Sequence, residues 1–214
     1  LSYAQSLQIK EPSLTLIDEQ TQMRLELSSK TINITKSGNL YRLSGEVVVP
    51  QKNMDSALMN LKAVYSIDDE KTVIETKIDN FIPSFLHLRS NAYLDVLKKI
   101  HGPISGSSIF ELDKNKKLRG YSGNFTGSDL DFKVLNTDNK DIKLDKFSIF
   151  YKSTEEFSKL SIQKVQLESD KFSFTGSGNL RFDKSLIGKF SFPEAKFFLP
   201  QNKKDSLIIK DTYV

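Results

Sequence analysis

The chain has no cysteine, no tryptophan and only two histidines, His87 and His101. Without cysteine there are no disulfides, no thiolate nucleophile and no Cys-based zinc site, a usage that suits either a reducing cytosol or a bacterial periplasm. The two histidines fall near opposite ends of one helical pattern, about 21 Å apart at helical rise. They form no His-x-x-x-His or His-Glu pair, so both read as solvated or packed side chains, and no metal or cofactor is expected. No apolar run approaches the length of a bilayer span. The start, Leu1-Ser2-Tyr3-Ala4, runs directly into strand-like sequence without the basic-then-apolar order of a signal peptide. It is expected to be a processed or excised piece of a longer chain.

Catalytic signatures are equally sparse. The nucleophile elbow Gly-x-Ser-x-Gly is missing. Gly120, Gly123 and Gly127 lead into strand residues rather than a helix N-terminus, and no Gly-Lys-Ser/Thr follows, so they do not make a phosphate loop. Asp129 and Asp131 place two carboxylates on one strand face, as a cation site or a glycosyl-transfer site would. A solvent-facing strand with Leu130, Phe132 and Val134 on its other side has the same spacing, and that reading is preferred. No catalytic residue is assigned, and the chain is expected not to be an enzyme.

Charge is nearly balanced: 31 Lys and Arg against 27 Asp and Glu give +4 across 214 residues. Most charges interleave, as on a solvated face. Lys114-Asn115-Lys116-Lys117-Leu118-Arg119 is a local basic cluster of the kind that meets phosphates, but its place between two strand-like runs reads as hairpin-tip charge. The aromatics alternate with Ser, Thr and Asp, unlike a basic stacking platform, so no nucleic-acid partner is expected.

What the chain does contain is alternation. Its 15 Phe and 7 Tyr sit in period-two rows such as Leu25/Leu27, Ile32/Ile34, Ile74/Thr76/Ile78, Leu130/Phe132/Val134, Phe147/Ile149/Tyr151, Phe172/Phe174 and Phe190/Phe192. Such rows give strands one apolar and one polar face. Turn-forming residues separate them at Lys36–Asn39, Asp68–Lys71, Lys114–Lys116, Asn136–Asn139 and Gly176–Asn179. The fold expected is mainly β: a long curved antiparallel sheet, folded over as a groove or open barrel. One amphipathic helix is expected over about 84–100, started by Pro83 and stopped by Gly102-Pro103.

The whole chain, 1–214, reads as one elongated β domain. The tetrapeptide Ser-Gly-Asn-Leu stands at 37–40 and again at 177–180, and Leu14, Leu16, Leu25 and Leu27 match Ile149, Tyr151, Leu160 and Ile162 at a constant offset. A strand repeat would account for this, with halves 1–78 and 107–214 flanking a helical passage at 79–106. Chance matching of alternating strands is the other account. A one-sided sheet of this extent must fold onto itself or hold something apolar. The inner rows Leu130, Phe132, Val134, Phe147, Ile149, Phe172, Phe174, Phe190 and Phe192 are candidates to line a trough for acyl chains.

The passage Ile78-Asp79-Asn80-Phe81-Ile82-Pro83, then an amphipathic stretch, then Gly102-Pro103-Ile104-Ser105-Gly106 and Phe110-Glu111-Leu112-Asp113 resembles the AsmA-like group of Gram-negative envelope proteins, of the YhdP and TamB type. The resemblance implies a periplasmic segment of a protein anchored in the inner membrane by an N-terminal helix that this sequence lacks. It further implies a sheet that conducts phospholipid toward the outer membrane, supports envelope integrity and contacts other envelope proteins. The alternative is a structural β domain serving as a scaffold or protein-interaction module.

Overall fold

The computed structural model describes residues 5–18, 23–51, 56–85, 99–132, 142–153, 159–182, 186–199 and 202–213. Among them are β1 (Ser6–Lys10), β2 (Ser13–Asp18), β3 (Met23–Ser37), β4 (Leu40–Val49), β5 (Ala57–Ser66) and β6 (Lys71–Phe81). Then come β7 (Ile100–His101), β8 (Ile104–Leu112), β9 (Leu118–Phe132), β10 (Ile142–Ser153), β11 (Lys159–Glu168), β12 (Phe172–Phe182), β13 (Leu186–Leu199) and β14 (Asn202–Tyr213). All fourteen belong to one antiparallel sheet in sequence order, with β2 beside β1 along β3 and β7 beside β8 along β9. The ends of the path do not pair, so the sheet is not closed.

Short connections explain the up-and-down order, since a hairpin needs only a few residues to reverse the chain. Gly38-Asn39 joins β3 to β4, and the positive φ of Gly38, 58°, is that of a type II′ turn. Asp113 builds the β8–β9 turn. Its Oδ1 accepts the backbone N–H groups of Asn115 and Lys117, each at 2.9 Å, and its Oδ2 accepts from Arg119 Nε and Nη2 at 2.9 and 2.8 Å. These bonds, led by the one from Lys117, hold the Asp113 carboxyl below its ordinary range. The basic cluster Lys114–Arg119 is thus a hairpin tip organised by one carboxylate.

The sheet bends because several strands carry an extra residue or lack a side chain on the inner face. Register shifts fall at Ser29/Ile32 on β3, Ile78/Phe81 on β6, Ile162/Val165 on β11 and Thr175/Ser177 on β12, and each such bulge increases the local twist. At the first of them the buried Ser29 hydroxyl donates to the Glu46 carbonyl at 2.6 Å, satisfying its own polarity. The exposed area, 14849 Å², exceeds the roughly 10,000 Å² of a compact monomer of this mass, as a thin open sheet should.

The two ends of the expected helix and one expected turn need correction. Of the helix over 84–100, residues 86–98 lie outside the described residues. Pro83–Phe85 is a 3-10 turn and Ile100 is a strand residue opposite Phe132. Gly102-Pro103 is not a helix stop but a kink between β7 and β8. Gly102 has φ 126°, and a Cβ there would stand 2.8 Å from the Leu130 side chain. The Gly176–Asn179 turn is not a turn: these residues lie inside β12, paired with β11 and β13. The same Ser-Gly-Asn-Leu sequence therefore turns at 37–40 and runs extended at 177–180. The proposed turn at Asn136–Asn139 lies outside the described residues.

Candidate functional site

The inner face of the sheet gathers its apolar side chains into three clusters. Leu27, Val47, Val49 and Ala57 form one on β3–β5. Ile104, Leu130 and Leu144 form the second on β8–β10, and Leu160, Ile162 and Val165 the third on β11. Phe81 touches both the first and the second, so the bulge after Ile78 lets one ring bridge two parts of the face.

Over the second cluster, whose Ile104, Leu130 and Leu144 all line it, lies a cavity of about 680 Å³, bounded on one side by Met59 of β5 and on the other by Phe172 of β12. Those strands are six steps apart in the sheet order, or roughly 29 Å on a flat sheet at about 4.8 Å per step. One modest cavity touching both belongs to a curved sheet. Its polar lining residues are Thr76, Ser107 and Ser108, of which Thr76 and Ser108 are paired on the inner face, and no charged residue lines it among those described. The volume lies within the range of about 300–1,000 Å³ typical of ligand clefts.

Of the inner-row residues expected at a trough, Leu130, Phe132, Phe147, Ile149 and Phe172 line this cavity. Phe174 stacks on Phe172 with centroids 4.7 Å apart, beside the cavity. Phe190 and Phe192 pack against the third cluster, farther along the face. Val134 lies outside the described residues. The lining also takes in Met59, Ile78, Phe81, Ile100, Ile104, Phe125, Ile142, Leu144 and Leu167, none of which was assigned to a trough from sequence. A usable signal existed for Phe125: it alternates with Gly123 and Gly127, which shares its face with glycines and so marks an inward position.

Among the described residues, the aromatic pairs join rings on the same strand or on adjacent strands: Phe172–Phe174, Phe174–Phe192 at 5.6 Å, Phe174–Phe197 at 5.3 Å and Phe190–Phe192 at 6.1 Å. Rings that pair sideways make a carpet along one wall.

One polar pair interrupts the apolar face. Ser108, Gly123 and Tyr151 stand side by side on β8, β9 and β10. Gly123 has no side chain, so the Tyr151 ring crosses it and its hydroxyl lies 2.7 Å from Ser108 Oγ. Burial raises the Tyr151 phenol above its usual pKa, the bond to Ser108 partly offsets this, and neighbouring Tyr121 adds to the rise. Burial alone raises Tyr121.

Asp129 and Asp131 do not converge on a site. Asp129 is exposed with φ 53°, and Asp131 stands opposite His101 and Lys143. Among the described residues no three His, Asp or Glu side chains group as metal ligands, and no helix is long and apolar enough to cross a membrane. No protein-family model matches the chain, and neither a curated protein nor a solved structure matches it.

Proposed function

We propose that this chain is a non-enzymatic lipid-handling segment whose curved sheet takes phospholipid acyl chains along its inner face. The observation that carries this is the 680 Å³ cavity bounded by β5 through β12, with no charged residue among its described lining. Hydrocarbon entering it leaves water at about 0.8 kcal/mol per buried methylene. Branched aliphatic and Phe walls hold a chain without fixing it at one point, which suits passage better than storage. The resemblance of residues 79–113 to AsmA-like envelope proteins supports the same reading. It adds a periplasmic location, an inner-membrane anchor on a longer chain and a role in conveying phospholipid to the outer membrane.

The experiment is photo-crosslinking with a phosphatidylcholine carrying a diazirine in its acyl chain, followed by peptide mapping. Adducts concentrated on Phe132, Phe147 and Phe172 are expected. Adducts spread over outward residues such as Phe150, or none at all, would overturn the reading. The scaffold alternative draws on a different observation, the continuous ring carpet from Phe172 to Phe197. It predicts a dry face that excludes the same probe.

A further inference from the structure

The Ser108–Tyr151 pair is the feature of the inner face that packing does not require. Phenylalanine at 151 would cover Gly123 as well, and alanine at 108 would remove the hydroxyl of a residue only 6 % exposed. Two hydroxyls that share one hydrogen bond hold two hydrogens, so one remains to be donated. The phenol is the stronger acid and the better donor. With Tyr151 donating to Ser108, the remaining hydrogen is that of Ser108, which lines the cavity. Thr76, opposite Ser108 in register, directs its hydroxyl at the Ser108 carbonyl at 3.5 Å, and among the described residues no other acceptor takes that hydrogen.

A donor at the wall of an apolar cavity calls for an acceptor. An ionised carboxylate or phosphate does not fit, because no lysine, arginine or histidine lines the cavity among the described residues, and an unpaired charge is costly to bury. A neutral group that accepts without donating fits best, and on hydrocarbon of biological length that group is the carbonyl of an acyl ester. We propose that Ser108 and Tyr151 recognise the ester carbonyl of the acyl chain, with Ser108 Oγ donating to it and Tyr151 holding Ser108 in place. This rests on the lipid-handling reading and adds the point at which the chain pauses.

The test measures displacement of the neutral dye N-phenyl-1-naphthylamine from the purified chain by dodecane and by methyl laurate, in the unaltered protein, Tyr151→Phe and Ser108→Ala. Tyr151→Phe keeps the ring over Gly123, and Ser108→Ala provides a second variant that changes no ring. The unaltered protein is expected to prefer methyl laurate about three- to tenfold over dodecane. Both variants should lose that preference while dodecane binding stays unchanged. The infrared carbonyl band of bound, carbon-13-labelled methyl laurate should sit lower in the unaltered protein and return upward in Ser108→Ala. Equal binding of the two probes by the unaltered protein, or equal loss of both in the variants, overturns the assignment but leaves the lipid reading standing. Failure of dye, dodecane and ester alike to bind overturns both.

Discussion

Phe190 on β13 lies over Gly178 on β12, the residue opposite it: a Cβ on Gly178 would stand 2.8 Å from the Phe190 Cδ1 and 2.3 Å from the Lys189 carbonyl oxygen. Tyr151 covers Gly123 in the same manner, and Phe192 covers Gly176. Each glycine removes a side chain from the inner face and lets the next strand's ring lie flat across the gap, so the sheet gains curvature without losing apolar surface.

Glycines of this kind should resist even the smallest side chain. Gly178→Ala must displace backbone and is expected to cost roughly 1–3 kcal/mol. Gly120 on β9 is the control, since among the described residues a Cβ there meets Ser153 Oγ alone, at 3.7 Å. Gly120→Ala should stabilise by about 0.4–1 kcal/mol through the unfolded chain. Urea midpoints measure both, and equal shifts would contradict the account.

Burial on the inner face sorts positions that look alike in sequence. Ile162 is 1 % exposed in the third cluster, whereas Leu14 on the edge strand β2 is 55 % exposed. Ile162→Ala should cost about 2–5 kcal/mol. Leu14→Ala should stay within about 0.5 kcal/mol. The pair distinguishes a packed inner face from a loose one by denaturant unfolding.

The β8–β9 hairpin carries a pH signature. Asp113 has a carboxyl pKa below the ordinary 3.8, so its contribution is present above 3.8 and is lost as pH falls through the lower folded value. Carbon-detected NMR of the carboxyl should place the Asp113 midpoint below 3.8. In Asp113→Asn the acid-side loss attributable to this turn should disappear. A midpoint at or above 3.8 would contradict the bonds from Lys117, Asn115 and Arg119.

At the alkaline end the sign reverses. Tyr151 has a phenol pKa above 10.0, so its contribution is present below 10.0 and is lost as pH rises through the folded value. The tyrosinate absorbance of the unaltered protein minus that of Tyr151→Phe should show one group titrating above 10.0. A difference curve centred at or below 10.0 would mean that the ring is not buried over Gly123.

Much of the fold was legible because alternation fixes which side chains share a face, and because hairpin turns such as Lys36–Asn39 announce themselves within a few residues. The glycines of β12 were not legible. Gly-Ser-Gly is a good turn by composition, and the ring that makes Gly178 a strand residue lies on the next strand. Ile100 was misassigned for a related reason: three-to-four spacing with a Gly-Pro stop fits a helix end, yet the backbone of Ile100 pairs with Phe132 on β9. The trough showed only its C-terminal wall in the sequence. Its other wall depends on β5 and β6 facing β10 to β12, which no local pattern encodes.

The central claim is that the cavity on the inner face takes hydrocarbon, and native mass spectrometry of the chain purified from bacteria without detergent tests it most directly. The account predicts adducts at the masses of phospholipids, released on collision and reduced when bulk is added at the cavity by Met59→Trp. A single apo species in the unaltered chain, with no lipid even after incubation with phospholipid vesicles, would contradict it.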